Sequence, residues 1–343
     1  MIEIDGSQGE GGGQVLRSSL SLSLMTGKPM RITNIRARRP KPGLRAQHLK
    51  SVEAAVAVGN AEIEGATFGS RSLSFSPRGI TAGQYQFDIG TAGSTSLVLQ
   101  TIFAPLGLAN YPSRITITGG THVKWSPAYH YLRMNWLPHM HRIGFRGDLT
   151  LDLAGFFPQG GGRIRAQIQP SGPRTPLCLT DRGDLQRIEG LSAVSNLPES
   201  IAIRQRRQAL NRLSGLGCPM EIDVIQLPSK RKGTMIILKA VLEKSQACYV
   251  GLGERGKPAE KVADEAAEAL LAFMVTDGAI DEYLADQLLV PLTFAPGKSE
   301  IRTSKVTQHL VTNAEVIQAF TSTEIKILGE LGESGLIQIR PSA

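Results

Sequence analysis

The sequence predicts an α/β (α+β) chain in which three tandem βαβαββ units form a main body that carries one small inserted α/β domain. Three observations predict it. A plan of glycine turn, apolar stretch, second turn and strand occurs three times. Each occurrence is followed by a second helical stretch and a pair of alternating strands. About 95 residues between the second and third occurrences do not follow the plan.

The first unit opens at Gly9-Glu10-Gly11-Gly12-Gly13, has an apolar stretch from Gln14 to Met25, turns at Gly27 and continues as a strand from Arg31. The second opens at Gly90, is apolar from Leu97 to Leu106 and has its strand from Arg114 to Thr118. The third opens at Asp277-Gly278, runs from Tyr283 to Phe294, turns at Pro296-Gly297 and has its strand from Glu300 to Thr303. From leading glycine to strand the distances are 22, 24 and 23 residues. Second helices are expected from near Leu44, Pro127 and His309; in the first, Arg45, Leu49, Val52 and Val56 share one face. Strand pairs follow at Ala61–Ile63 with Leu73–Phe75, Leu149–Leu153 with Ile164–Ile168, and Ile325–Leu328 with Leu336–Ile339. The last strands of the three end alike, at Phe75-Ser76-Pro77, Pro170-Ser171 and Pro341-Ser342.

The insert reads as strands at Arg187–Leu191, Glu221–Leu227 and Met235–Leu242, with helices over Ser200–Leu213 and Ala259–Met274. The expected division is 1–181 for the first two units, 182–275 for the insert and 276–343 for the third unit. An insertion at a surface loop between repeats costs the main body little.

Composition narrows the class. The 343 residues are 41% hydrophobic and 20% charged, ordinary for a soluble globular protein. No apolar run reaches the length of a membrane span, and Met1–Asp5 reads as neither secretory signal nor transit peptide. Cys178, Cys218 and Cys248 are odd in number and far apart, which excludes a disulfide framework or a cysteine zinc cluster. A reduced, cytoplasmic protein is expected. Lys and Arg number 38 against 30 Asp and Glu, a net charge of +8. The basic residues are segregated: neither Gly11–Val52 nor Ile89–Gly147 contains an acid. Two such windows point to a polyanion surface in the first half, against the plainer reading of a solvated basic face.

Four features could carry chemistry. His309 stands where the third strand passes into its second helix; free N–H groups there attract phosphate and favour a neutral, nucleophilic imidazole. His48 holds a comparable place in the first unit. His122, His130, His139 and His141 lack zinc-site spacing and read as surface or interface residues. The Gly9–Gly13 loop beside Arg17 lets backbone approach phosphates, yet it is neither a Walker A loop nor a Rossmann fingerprint. Gly160-Gly161-Gly162 is similar, within a hairpin. Arg36, Arg38, Arg39, Lys41 and Arg45 make the densest basic patch, stiffened by Pro40, Pro42 and Gly43. Glu10 and Asp286 are carboxylates placed to serve Mg²⁺ with phosphate oxygens.

Together these residues resemble the RNA 3′-terminal phosphate cyclase family. The matching pieces are Asp5–Arg17, Ile35–Leu44 with Gln47-His48, Gly155–Gly162, Tyr283–Gln287 and the His309 segment, in order along nearly the whole chain. The resemblance implies an RNA 3′-terminal phosphate cyclase / enolpyruvyl transferase-like body with one insert. It implies ATP and Mg²⁺ (or Mn²⁺) as cofactors and RNA with a 3′-terminal phosphate as partner, with no membrane and a homodimer as one option. It implies a three-step reaction: adenylylation of a histidine, transfer of the adenylate to the RNA 3′-phosphate, and attack by the vicinal 2′-OH to give a 2′,3′-cyclic phosphate and AMP. Carried over, His309 is the nucleophile and Glu10 a metal ligand. Gln100, Tyr283, Leu284, Ala285, Asp286 and Gln287 look like ATP-contacting positions. Arg17, Arg36, Arg39 and Gln47 look like phosphate-holding ones, with Arg36 and Arg39 assigned mainly to the RNA end.

Two positions depart from the family pattern. Leu252 stands where an aromatic would stack on adenine, leaving Tyr249 or Tyr283 to compensate. Ala154 stands where a basic residue is usual. Two other classes stay open at this point: a non-catalytic relative acting in ribosomal RNA processing, and an enolpyruvyl transferase on the same kind of body.

Overall fold

The structure, a computed structural model, describes residues 1–341; Ser342, the last residue of the third matching strand end, lies outside the described residues. The first unit is β1 (Ile2–Asp5), α1 (Gly13–Thr26), β2 (Met30–Thr33), α2 (Ala46–Gly59), β3 (Glu62–Glu64) and β4 (Leu73–Ser76). The second is β5 (Gln84–Asp88), α3 (Thr95–Gly107), β6 (Ser113–Gly119), a helical stretch, β7 (Arg146–Leu153) and β8 (Gly162–Gln169). That stretch is α4 (Tyr129–Tyr131), a π-turn over Leu132–Trp136, and α5 (Leu137–Ile143). Next come β9 (Cys178–Leu179) and the insert: β10 (Leu185–Ser195), α6 (Glu199–Leu213), β11 (Met220–Gln226), β12 (Gly233–Leu242), β13 (Gln246–Leu252) and α7 (Ala259–Met274). The chain closes with α8 (Glu282–Thr293), β14 (Ser299–Thr303), α9 (Gln308–Phe320), β15 (Glu324–Leu328) and β16 (Gly335–Arg340).

The three units share one sheet plan. Strand orders are β1-β2-β4-β3, β5-β6-β8-β7 and β9-β14-β16-β15. In each the first pair is parallel and the other two pairs are antiparallel. The third sheet takes its parallel edge strand, β9, from ahead of the insert, with Cys178 opposite Glu300 and Leu179 opposite Ile301. The insertion therefore enters the third unit after its first strand and does not lie between units. Two residues of strand are too few to show an alternation in sequence, which is why 1–181 looked like two units alone.

Helices close the ring. The first helix of each unit packs on the second helix of the unit before it: α3 on α2, α8 on α5, and α1 on α9. The last of these joins the two ends of the chain. α1 also touches α3 and α8, so it is buried nearly all round, with Ser18, Ser19, Ser21 and Ser23 among its buried residues. Small side chains at those positions let neighbouring helices approach closely. α1 ends at Gly27, whose φ of 69° is the left-handed turn glycine adopts without a Cβ clash.

The insert has the order β11-β10-β12-β13 and its own core, in which Ile236 and Leu238 of β12 meet Val262, Leu270 and Phe273 of α7. The alternate residues Met235 and Ile237 join the main core. β12 is thus buried on both faces, which explains its continuous apolar run. The strand missed in sequence, β13, pairs antiparallel with β12 from Gln246 to Leu252.

Candidate active site

The Gly9–Gly13 loop and the start of α9 meet where the first and third units close the ring. Thr307 caps α9, its hydroxyl accepting from the Leu310 N–H at 3.1 Å, so His309 occupies the first turn. Gly9 abuts Thr312 one turn later, with no room for a Cβ. This contact brings Glu10 and Gln14 to the imidazole. His309 Nε2 lies 3.2 Å from Glu10 Oε2, and the same carboxylate oxygen accepts from Arg39 Nη2 at 2.9 Å. The other ring nitrogen, Nδ1, hydrogen-bonds Gln14 Oε1.

The tautomer follows from the next partner along. Gln14 Nε2 donates to Asp286 Oδ2 at 2.9 Å, which turns the amide oxygen toward His309. An oxygen accepts only, so with the amide set this way Nδ1 is the donor to Gln14 and, in the neutral ring, Nε2 keeps the lone pair. Asp286 is held from its own backbone by Asn313, whose Nδ2 donates to the Asp286 carbonyl at 2.7 Å. Burial lowers the His309 pKa below the usual histidine value; Glu10 opposes, and Arg17 and Arg39 add to the lowering. Burial pushes Asp286 up to about 7, with Arg17 and Gln14 pulling the other way. Burial likewise lowers Arg17 to about 10, against the attraction of Asp286. The site therefore brings a half-exposed imidazole beside one carboxylate and two guanidinium groups.

The other residues singled out in the sequence divide into groups. Gln100 and Gln287 are brought together, Nε2 of one donating to Oε1 of the other at 2.8 Å. Tyr283 is exposed at the start of α8, whereas Leu284 and Ala285 are fully buried core side chains. Gln47 accepts from the Ser94 backbone N–H at 2.9 Å, tying the start of α2 to the start of α3. Arg36 turns inward on its own loop, its Nη1 donating to the carbonyls of Lys41 (2.6 Å) and Gly43 (2.9 Å). The two arginines expected together at the RNA end are thus separated: Arg39 pairs with Glu10 beside His309 and Arg36 braces the loop.

Of the two tyrosines that could stand in for an aromatic at Leu252, Tyr249 is buried against Phe273 and Tyr283 and donates to Glu282 Oε2 at 3.1 Å. Tyr283 alone offers an open ring. Ala154 is buried, its N–H on the Pro228 carbonyl and its C=O receiving the Ser229 hydroxyl, both at 2.7 Å. The position serves the joint with the insert.

Three of the four histidines read as surface or interface residues are interior. His122, His130 and His139 are buried, and His122 Nε2 meets His130 Nδ1 at 2.8 Å. His141 is exposed. His48, the competitor of His309, is buried at the start of α2, with Nδ1 3.2 Å from the Arg45 N–H. Its pKa is lowered to about 3 by burial and by Arg17, Arg36 and Arg45. It packs behind Gly13 and Arg17 and is a support, with no open face for attack. The residue missed in sequence is Gln14; its one signal was its place directly after the glycine loop.

Among the described residues, no cluster of three His, Cys, Asp or Glu could hold a metal unaided. A single carboxylate such as Glu10 suits Mg²⁺, which completes its shell with phosphate oxygens and water. No helix among the described residues is long and apolar enough to cross a membrane.

Fold and cluster define an α/β protein of three repeated units with one helix-start histidine where the first and third units meet. A family model described as RNA 3′-terminal phosphate cyclase matches residues 8–327. A relative of that name from Nostoc punctiforme is 43% identical over 334 residues, 95% of this chain and 96% of its own. One from Pyrococcus furiosus is 40% identical over 339 residues, covering 99% and 98%. Among solved structures, the enolpyruvyl transferase NikO from Streptomyces tendae aligns with 98% of this chain and 47% of its own, at 9% identity and a TM-score of 0.42. The chain is an enzyme and belongs to the RNA 3′-terminal phosphate cyclase family.

Proposed function

We propose that this enzyme converts an RNA 3′-terminal phosphate to a 2′,3′-cyclic phosphate at the expense of ATP, through a covalent His309–AMP adduct. The observation that carries the reading is the Asp286–Gln14–His309 relay, which leaves the Nε2 lone pair facing Glu10 and Arg39 at a helix start.

Nε2 attacks the α-phosphorus of ATP; the P–N bond forms as the bond to pyrophosphate breaks. Arg39 and Arg17 balance the charge that builds on the phosphates, and the free N–H groups of the first turn of α9 add to it. Glu10 is the residue that would hold Mg²⁺ or Mn²⁺, which supplies charge neutralisation for the leaving pyrophosphate. Gln100 on α3, and Gln287 and the open ring of Tyr283 on α8, suit the nucleoside. An oxygen of the RNA 3′-phosphate next attacks the α-phosphorus and displaces Nε2, giving RNA(3′)pp(5′)A. The vicinal 2′-OH then attacks the terminal phosphate and AMP departs; this step is intramolecular and gains from proximity. Because both transfers occur at the same α-phosphorus, Arg39 serves each of them. Three cysteines, all free, suit a reaction carried out in the cytoplasm.

Incubation with α-labelled ATP tests the reading. The wild-type chain should take up label in an acid-labile adduct and release it to RNA bearing a 3′-phosphate. His309→Ala and His309→Asn should take up none while keeping their circular dichroism and thermal unfolding. A wild-type chain that takes up no label would be a non-catalytic member of the family.

A further inference from the structure

The loop between β11 and β12 carries three basic residues in a row, Lys230, Arg231 and Lys232, all exposed. Among the described residues none of the three side chains has an acidic partner; of the insert's other basic residues Arg204, Arg212, Lys239, Lys244 and Lys257 are paired, and Arg206, Arg207 and Arg255 are not. The loop is rigid despite its exposure. Asn196 Nδ2 donates to the carbonyls of Ser229 (2.8 Å) and Arg231 (3.1 Å), and Ser229 Oγ donates to the Ala154 carbonyl at 2.7 Å. Gly233 lies flat on the Phe156 ring, with no room for a Cβ. The insert's basic loop is therefore docked on the Gly155–Gly162 hairpin of the second unit.

Two exposed aromatic rings lie on the chains that leave the Phe156 contact under Gly233. Phe157 is 76% exposed and Trp125 is 97% exposed, and neither ring packs on another aromatic. Both are tied to one point. Phe156 stacks on His122 with centroids 5.2 Å apart, and the two residues form a parallel bridge. From that bridge one chain leads directly to Phe157 and the other, three residues on, to Trp125. Lys124, next to Trp125, is ion-paired to Glu254 of the insert at 2.7 Å, and Trp125 is set in the left-handed region with φ 63°. A free surface rarely holds large apolar rings at fixed positions without a partner for them.

The face also leads to the active site. Gly160 rests on Thr91 and Ala92, Gly93 on Gln47, and Gln47 holds the Ser94 N–H. The next residue, His48, touches Gly13 and lies beside Arg17.

We propose that this face binds the single-stranded RNA that precedes the terminal phosphate, with bases stacking on Phe157 and Trp125 and phosphodiesters running past Lys230, Arg231 and Lys232. The proposal rests on the reading of RNA as substrate. Open rings beside an unpaired basic row are the combination that single strands need: π-faces accept any base and the charges follow the backbone. Such a surface is indifferent to sequence, which suits an enzyme acting on an end.

The test compares a 12-nucleotide RNA with a dinucleotide, both ending in 3′-phosphate, on the wild type, the triple variant Lys230→Ala/Arg231→Ala/Lys232→Ala, and Phe157→Ala. Adduct formation with ATP alone and cyclisation of the dinucleotide should be unchanged in all three, which also shows that the variants fold. For the 12-mer, KM should rise about tenfold in each variant, Phe157→Tyr should restore it, and the triple variant should lose up to about two units of salt slope. Variants that handle the 12-mer like the wild type overturn the proposal, as does equal loss on the dinucleotide. A triple variant that loses the 12-mer while Phe157→Ala does not, with poly-glutamate competing as well as RNA, makes the face a general polyanion surface and also overturns it. Failure of the wild type to form the adduct at all sinks the proposed reaction instead; the strand proposal is then judged by direct retention of the 12-mer, and it is overturned if the triple variant retains RNA equally well.

Discussion

Gln14 hydrogen-bonds the Nδ1 of His309 across 295 residues of chain. The bond sets which imidazole nitrogen is left to face Glu10, and it exists only because α1 and α9 close the ring of units.

Removing it should slow chemistry more than binding. Gln14→Ala loses one hydrogen bond between neutral groups, so adduct formation should fall roughly 2- to 13-fold with ATP affinity little changed. Gln14→Glu places a carboxylate at Nδ1, which raises the imidazole pKa; the acid limb of the rate profile should move to higher pH. A profile identical to wild type in both variants would reduce Gln14 to packing.

Glu10 raises the His309 pKa, against the net lowering by burial and the arginines. Glu10→Gln should therefore shift the acid limb of adduct formation to lower pH. It should also move the Mg²⁺ and Mn²⁺ titrations to higher concentration, as expected on losing the single carboxylate ligand. An unmoved metal titration would remove Glu10 from the metal site.

Arg39 and Arg36 should separate experimentally as they do in space. Arg39→Ala removes a guanidinium from beside the nucleophile, and adduct formation should drop roughly 10- to 150-fold, the scale of one charge-assisted hydrogen bond. Arg36→Ala strips two carbonyls of the basic loop of their donor and should cost about 1–3 kcal/mol in urea unfolding, with adduct formation affected less. The reverse pattern would return Arg36 to the phosphates.

Acid should unfold the protein through its buried histidines. Burial holds His48 at about 3, His130 and His139 at about 4, and His122 well below the ordinary value. The unfolded chain takes up these protons as pH falls through about 6.5 while the folded chain does not, so stability is lost over that window. Two buried carboxyls act oppositely: Asp281 is raised to about 6 and Asp286 to about 7, so the folded state holds their protons above the unfolded value. The net excess in the unfolded state is about two protons between pH 4.5 and 6, a slope of roughly 2–3 kcal/mol per pH unit. Urea unfolding at pH 6 and pH 5 measures it, and equal stabilities would show that the histidines are accessible.

Much of the fold was legible because its signals are local. Glycine turns at 22- to 24-residue spacing, apolar runs of helical length and alternating hairpins located every helix of the three units. What escaped was mostly strands that the repeat plan did not locate, among them β5 and β13. β9 is two residues long, and the buried histidines sit singly in segments where nothing distinguishes an interior imidazole from an exposed one. At the site, His309 stood out by its helix start, Glu10 by its glycine loop and Arg39 by the basic patch that holds it. The separation of Arg39 from Arg36 was not, because the direction of two side chains in one loop depends on what each finds to bind.

By itself the sequence determined the element types, the repeat and the residues able to carry phosphate chemistry, because propensity, periodicity and turn stereochemistry act within a few residues. Only the tertiary structure decided that Glu10 and Gln14 from the first unit meet Asp286 and His309 from the third. That meeting depends on how α1 packs against α8 and α9, a contact between chain ends whose geometry is set by the whole ring of helices. The same packing sets which imidazole nitrogen meets Gln14, since a hydrogen bond is made or lost within a few tenths of an ångström and about 30° of direction.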